Sequence, residues 1–250
     1  MRQACRCGVD QGANVPSQIN RVTVQHLELF AGLAADALDD ILQAAASRRY
    51  GSGDTVFEQG QDADYFFVLL YGSLRVTQVT SEGRQVVVRM VNPGDLFGIA
   101  KALRRTDYPG TATAATESVA IAWPVSSWDT IVGTYPSFAV NAMQTMGSRL
   151  LEAQQRIREL STEEVERRVA HAVLRLAQQS GIKEADGIRI GFLISKQDIA
   201  EMTGTTLHTV SRVMTAWEDE GLIKGGRQKL LVKDGHQLLL IADGLRPGLL

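Results

Sequence analysis

Apolar positions along the chain follow two rhythms, and the change between them divides it. From Leu27 to Leu42 the spacing is helical: Leu27, Leu29 and Phe30 lead to Leu33, and Leu38, Ile41 and Leu42 mark a second amphipathic helix. Between Arg48 and about Pro124 the period shortens. Three β-rich runs, 65–70 (YFFVLL), Leu74–Val79 (LRVTQV) and Gln85–Val91 (QVVVRMV), are followed by 112–116 and 118–123. Gly60, Gly72, Gly83 and Gly94 punctuate them at intervals of 12, 11 and 11 residues, and Ser81-Glu82-Gly83 and Asn92-Pro93-Gly94-Asp95 read as turns. Short strands at even spacing with glycine turns predict a small barrel or jelly roll.

Helical spacing returns after Pro124 with Trp128, Ile131 and Val132, and Pro136 opens a longer helix. Along it Ala139, Met143, Met146, Leu150, Ala153, Ile157 and Leu160 alternate at steps of four and three, which is three heptads of a coiled-coil seam. Gln154, Gln155, Arg156, Arg158 and Glu159 occupy the other sides, so a narrow dimer seam fits better than broad burial on the same chain. Methionines at two seam positions would leave its packing adaptable. Ser161 or Thr162 is the expected N-cap of the next helix, which carries Val165, Val169, Val173, Leu174 and Leu176.

After a short β segment at 187–194, residues 195–220 read as two helices joined by a tight turn. Ser195 suits an N-cap, Asp198 suits the helix dipole, and Gly204 can take the positive φ that the turn demands. The second helix lays Leu207, Val210, Met214 and Trp217 on one stripe and His208, Ser211, Arg212 and Thr215 on the opposite face. Small Ala200, Gly204 and the core valines Val210 and Val213 allow the close crossing of a helix-turn-helix. An ordinary surface helix pair is the bland reading; the coincidence of these features favours DNA. Residues 222–224 and 229–233 can pair around Gly225-Gly226-Arg227-Gln228 as a wing, and a last short element runs through Ile241. The candidate DNA contacts are Ser195, Lys196, Thr206, His208, Thr209, Ser211, Arg212 and Thr215, with Lys224 and Arg227 from the wing.

These patterns divide the 250 residues into an N-terminal tail (1–23), a β-roll sensor with flanking helices (24–135), a dimerisation helix (136–161) and a winged helix-turn-helix domain (162–250). The fold class is α+β. No apolar run approaches the roughly 20 residues of a membrane span, and the first residues lack the apolar stretch of a signal peptide, so a cytoplasmic protein is expected. Net charge of −2 is neutral on the question of nucleic acid. From Thr162 onward twelve basic residues balance twelve acidic ones, but Lys224, Arg227, Lys229 and Lys233 fall within ten residues that hold no acid. A local ridge of that kind is enough to hold phosphates. Cys5 and Cys7, in the tail, exclude a disulfide framework and a four-cysteine metal or iron–sulfur site within one chain.

A glycine-punctuated β-roll, a dimer helix and a C-terminal winged helix-turn-helix, in that order, resemble the CRP/FNR family of bacterial transcription regulators. The resemblance runs from about Val24 to Ala242, and the turns Gly51–Asp54 and Pro93-Gly94-Asp95 look like those of the family's β-roll (cyclic-nucleotide-binding-domain-like jelly roll). It implies a homodimer that binds near-palindromic double-stranded DNA, contacts RNA polymerase and changes helix spacing when an effector reaches the sensor. Cyclic-nucleotide binders of the family carry a ribose-binding Glu where this chain has Ile99, and a phosphate-binding Arg where it reads Pro109-Gly110-Thr111-Ala112. A buried phosphate without a cation is poorly compensated, which argues against cAMP. The oxygen-sensing branch needs four cysteines, which argues against an iron–sulfur cluster.

Where the FNR branch reads Glu-x-x-Ser-Arg, this chain has His208-Thr209-Val210-Ser211-Arg212, so its half-site is expected to differ. The phrase from Thr206 to Arg212, with Ala216-Trp217-Glu218, is similar to the nitrite and nitric-oxide reductase regulators (the NnrR type), which activate denitrification genes in response to nitric oxide. Related regulators use haem, for which His26, beside the sensor, is the candidate ligand ahead of His171, His208 and His236. Three alternatives stand beside this reading. They are a regulator of the same family serving another pathway with a different effector or none, a ligand-binding subunit acting on protein, and a thiol redox protein using Cys5 and Cys7. No nucleophile–base pair, metal motif or phosphate loop in the sequence favours an enzyme.

Overall fold

The computed structural model describes residues 19–226 and 229–245; Cys5, Cys7 and Arg227 therefore lie outside the described residues. Two short helices, α1 (Arg21–Val24) and α2 (Ala35–Gln43), flank a 3₁₀ turn at Glu28–Phe30. Eight strands follow: β1 (Ala46–Tyr50), β2 (Thr55–Phe57), β3 (Tyr65–Tyr71), β4 (Leu74–Val79), β5 (Gln85–Val91), β6 (Leu96–Phe97), β7 (Thr111–Ala114) and β8 (Ser118–Pro124). They form two four-stranded antiparallel sheets, ordered β1-β8-β3-β6 and β2-β7-β4-β5.

The continuous apolar run of β3 is explained by burial on both faces. Phe67 and Leu69 point between the sheets with Tyr50, Phe57, Phe97 and Tyr108, while Phe66 and Val68 face the helices, packed with Phe30, Ile41, Trp123 and Trp128. Residues buried on one face alternate with polar ones; residues buried on both do not. All four punctuating glycines, Gly60, Gly72, Gly83 and Gly94, have positive φ, from 78° to 91°.

From β8 the chain enters α3 (Trp128–Thr134) and the 27-residue α4 (Pro136–Thr162), whose Asn141 amide donates to the carbonyls of Leu29 and Ala31 at 3.0 and 2.9 Å. The expected cap at Ser161 or Thr162 is not formed. Their hydroxyls donate back to the carbonyls of Ile157 and Arg158, four residues earlier, at 2.8 Å in both cases, so α4 runs on to Thr162. The next helix, α5 (Val165–Ser180), starts from Glu164 with no side-chain cap.

The C-terminal part continues with β9 (Gly181–Glu184), β10 (Gly187–Ile190), α6 (Lys196–Thr203), α7 (Leu207–Asp219), β11 (Ile223–Gly226), β12 (Lys229–Val232) and α8 (Gly235–Ala242). The β segment expected at 187–194 is shorter, ending at Ile190, and is the second strand of a hairpin whose two strands join the wing in one sheet ordered β11-β12-β10-β9. This part docks on its own sensor. Val87 and Met90 of β5 belong to the apolar core formed by α5, α6 and α7. Arg156 of α4 spans the joint, its guanidinium donating to the carbonyls of Val87 and Val88 on β5 and, at 3.0 Å, of Met202 on α6. Among the described residues no helix is long and apolar enough to cross a membrane.

Candidate nucleic-acid interface and sensor cavity

The first helix of the pair, α6, is held by a reciprocal cap. The Ser195 hydroxyl accepts from the Asp198 amide at 3.0 Å and the Asp198 carboxylate accepts from the Ser195 amide at 2.8 Å. Gly204 ends it at φ 61°, in the left-handed region. Thr206 then caps α7, its hydroxyl accepting from the Thr209 amide at 3.2 Å and lying 2.9 Å from the Thr209 hydroxyl. These two caps fix where α7 begins, and with it the direction in which its outer face points.

On that helix Val210, Val213, Met214 and Trp217 are buried. Trp217 is anchored through Nε1–H, which donates to the Glu166 carboxylate of α5 at 3.0 Å. Leu207, expected on the same stripe, is 47% exposed; it sits in the first turn, ahead of the point where α7 meets α5 and α6. The expected outward face is as read: His208, Arg212 and Thr215 are exposed and Ser211 is half-buried. Neither His208 nor Arg212 makes a hydrogen bond or ion pair with any described residue, and Lys224, Lys229 and Lys233 are exposed beside them in sequence. Ser195, Thr206 and Thr209, proposed as contacts, instead spend their hydroxyls on caps, although Thr206 is exposed. Lys196 is half-buried in α6, on a recess between α6 and the wing.

Some distance away, a cavity of about 320 Å³ opens between the β-roll and α4. Both segments singled out in the sequence line it, Leu96–Ala100 and Pro109-Gly110, with Ile99 in its wall. Two cations also reach it that the sequence reading missed, because they come from other elements: Arg89 of β5 and Arg149 of α4. Arg149 is committed, ion-paired with Asp95 and, at 2.9 Å, with Glu152. Burial disfavours its charge, but the two acids outweigh burial and hold its pKa above the ordinary value. Arg89 makes no ion pair with a described residue, although Asp95 and Glu152 still favour its charge. Its one hydrogen bond runs to the Leu96 carbonyl at 3.3 Å, and burial lowers its pKa. The signal in the sequence was the lone charge in QVVVRMV.

Comparison with known proteins agrees with both halves. Residues 47–135 match the cyclic nucleotide-binding domain family and residues 167–241 the Crp-like helix-turn-helix domain family. The chain is 30% identical over 198 residues to the cyclic AMP receptor protein of Thermus thermophilus, a match covering 79% of this chain and 88% of that protein. This chain belongs to the CRP/FNR family of transcription regulators. Among other members of the CRP/FNR family it is 28% identical over 201 residues to the nitrogen fixation regulation protein FixK of Azorhizobium caulinodans, covering 78% of this chain and 80% of that one. A CRP-family transcriptional regulator of Thermus thermophilus superposes with a TM-score of 0.68 at 26% identity, over 78% of this chain and 96% of that one. FixK and the Thermus thermophilus structure carry the names of regulators.

Set in a CRP/FNR regulator, α4 carries an exposed apolar stripe on a slightly different line from the expected seam. Met143, Leu150 and Ile157 are 64, 59 and 63% exposed, and Val140, Leu151 and Leu160 are exposed too. Ala153 is also exposed, whereas Ala139 is half-covered. Met146 is turned the other way, half-buried against the sensor core and lining the cavity. The free stripe thus runs through Met143, Gly147, Leu150, Gln154 and Ile157, one residue round from the Met146 side. His26 is exposed in the turn after α1 and lines none of the described cavities. Among the described residues no His or Cys borders the sensor cavity.

Proposed function

We propose that the chain acts as a homodimer, paired along the exposed stripe of α4, that reads a near-palindromic DNA site with α7 and works with RNA polymerase at promoters of denitrification genes in response to nitric oxide. The observation that carries the DNA-reading part is the outer face of α7. His208 and Arg212 are exposed and unengaged by described residues on a helix whose start is fixed by the Thr206 cap and whose back is fixed by Trp217. An Arg in that position can reach guanine O6 and N7 through two donors, or grip a phosphate. Two copies of α7 in a dimer would enter successive major grooves about one helical turn apart.

The denitrification part is supported by the phrase from Thr206 to Arg212 with Ala216-Trp217-Glu218, which speaks to target genes and not to the way the gas is sensed. No haem is assigned to His26 in this reading. Selection of DNA sites from a random pool, with and without nitric oxide, tests it: enrichment of a two-fold symmetric site that strengthens with the gas is expected, and no enriched site would refute it.

A second reading, a regulator of the same family answering to a different small molecule, is favoured by one observation. The sensor cavity is walled largely by apolar side chains and holds a cation, Arg89, that makes a single hydrogen bond, and nitric oxide, a neutral diatomic, would leave both unused.

A further inference from the structure

The cavity between the β-roll and α4 holds more information about its occupant than the family match does. Its floor is aromatic. Phe57 and Tyr108 are stacked with centroids 3.9 Å apart and planes 14° apart, and Phe97 stacks on Phe57 at 6.1 Å. Leu96, Ile99 and Met146 add aliphatic and thioether surface. Most polar groups in the wall are spoken for, although the buried Arg149 Nε has no hydrogen-bond partner. The Tyr108 hydroxyl donates to the Tyr65 carbonyl at 2.7 Å and accepts from the Tyr65 amide at 3.1 Å. The Thr145 hydroxyl donates to the Asn141 carbonyl at 3.0 Å, and Arg149 is held by Asp95 and Glu152.

Arg89 is the group with most donors unused. A guanidinium has five N–H donors in a planar fork, and here one of them is used, on the Leu96 carbonyl. Burial outweighs the favourable field of Asp95 and Glu152 at Arg89, so its charge costs stability unless something pairs with it directly, and the group that matches the fork is a planar oxyanion bound through two hydrogen bonds. The cavity of about 320 Å³ is large enough for a small organic ligand.

We infer that the cavity takes a small organic anion with a flat apolar body, a benzoate- or phenylacetate-like carboxylate, with its charge on Arg89 and its ring on the Phe57–Tyr108 floor. The inference rests on the second reading above, in which the effector is a small molecule bound at the sensor. It makes Arg89 a specificity residue: the cation selects the anion.

Titration calorimetry of the full-length protein with benzoate, phenylacetate, phenylacetamide and cAMP tests this. At least one of the two carboxylates is expected to bind, with the neutral amide at least about tenfold weaker and cAMP giving no heat. Arg89→Gln is expected to weaken the carboxylate about tenfold or more. Leu103→Trp, at a 55% exposed position on the cavity wall, is expected to do the same by filling the entrance while keeping the cation. Binding of neither carboxylate, equal binding of acid and amide, or tighter binding of cAMP would overturn the inference. DNA binding by the wild-type protein, measured alongside without any probe, is independent of these outcomes; its absence would refute the regulator reading and leave the ligand result standing.

Discussion

Arg75 on strand β4 of the sensor is ion-paired with Asp198, the same acid that completes the N-terminal cap of the first helix of the helix-turn-helix. One carboxylate therefore serves the local structure of the DNA-reading unit and its attachment to the sensor. Arg75 is about one-third exposed, so the pair itself should contribute under about 1 kcal/mol. Loss of the cap should cost more, about 1–2 kcal/mol. Urea unfolding is expected to rank Asp198→Asn as more destabilising than Arg75→Gln. Hydrogen exchange in α6 is expected to rise in both variants, because in Arg75→Gln the attachment is weakened while the cap survives.

Gly204 is where the turn between α6 and α7 requires a left-handed backbone. Its φ is 61°, and a Cβ added there would lie 3.0 Å from Leu160 Cδ2. Gly204→Ala is expected to cost about 1–2 kcal/mol, the penalty of placing a side chain in the left-handed region, read as a lower midpoint in denaturant unfolding.

Tyr108 gives the sensor an alkaline limb. Burial, opposed in part by its hydrogen bond with the Tyr65 backbone, pushes its pKa from 10.0 to about 12. Between those pH values an unfolded chain loses the proton and the folded one keeps it, so stability is intact below about pH 10 and falls as pH rises toward 12. The loss should be on the order of 2 kcal/mol. Tyr108→Phe is expected to flatten that limb and to cost about 1–3 kcal/mol at neutral pH, since the Tyr65 amide and carbonyl lose their partner. Thermal unfolding across pH 8 to about 11 checks both.

The stripe on α4 makes a separate expectation about assembly. Leu150→Glu and Ile157→Glu place charges where two copies would meet and are expected to shift the protein to monomer in sedimentation, with its own fold intact because both positions are exposed in one chain. Met146→Ala should leave assembly alone and destabilise the sensor by about 1–2 kcal/mol through lost packing.

Much of the fold could be read from the sequence because its signals were local. The glycine spacing of the β-roll, Pro136 at the head of α4, and the cap residues Ser195 and Thr206 each act within a few residues of themselves. What was misread depended on partners elsewhere in the chain. Ser161 and Thr162 look like caps until the hydroxyls find the carbonyls behind them. Met146 fits a heptad equally well from either side, and the β-roll decides that it faces inward. Leu207 has the right spacing for the core, yet in the first turn of α7 it is 47% exposed. Arg89 and Arg149 come from a strand and a helix 60 residues apart in sequence, so a search of the 109–112 segment for a cation could not find them.

The most direct measurement is the affinity of the wild-type protein and of Arg212→Ala for a selected site and for a scrambled duplex, by fluorescence anisotropy at one fixed salt concentration. If α7 reads bases, wild type prefers the selected site, and Arg212→Ala loses about 1–3 kcal/mol on that site with little change on the scrambled duplex. Equal loss on both duplexes would make Arg212 a phosphate anchor. An unchanged affinity on both would contradict the assignment of this face to DNA.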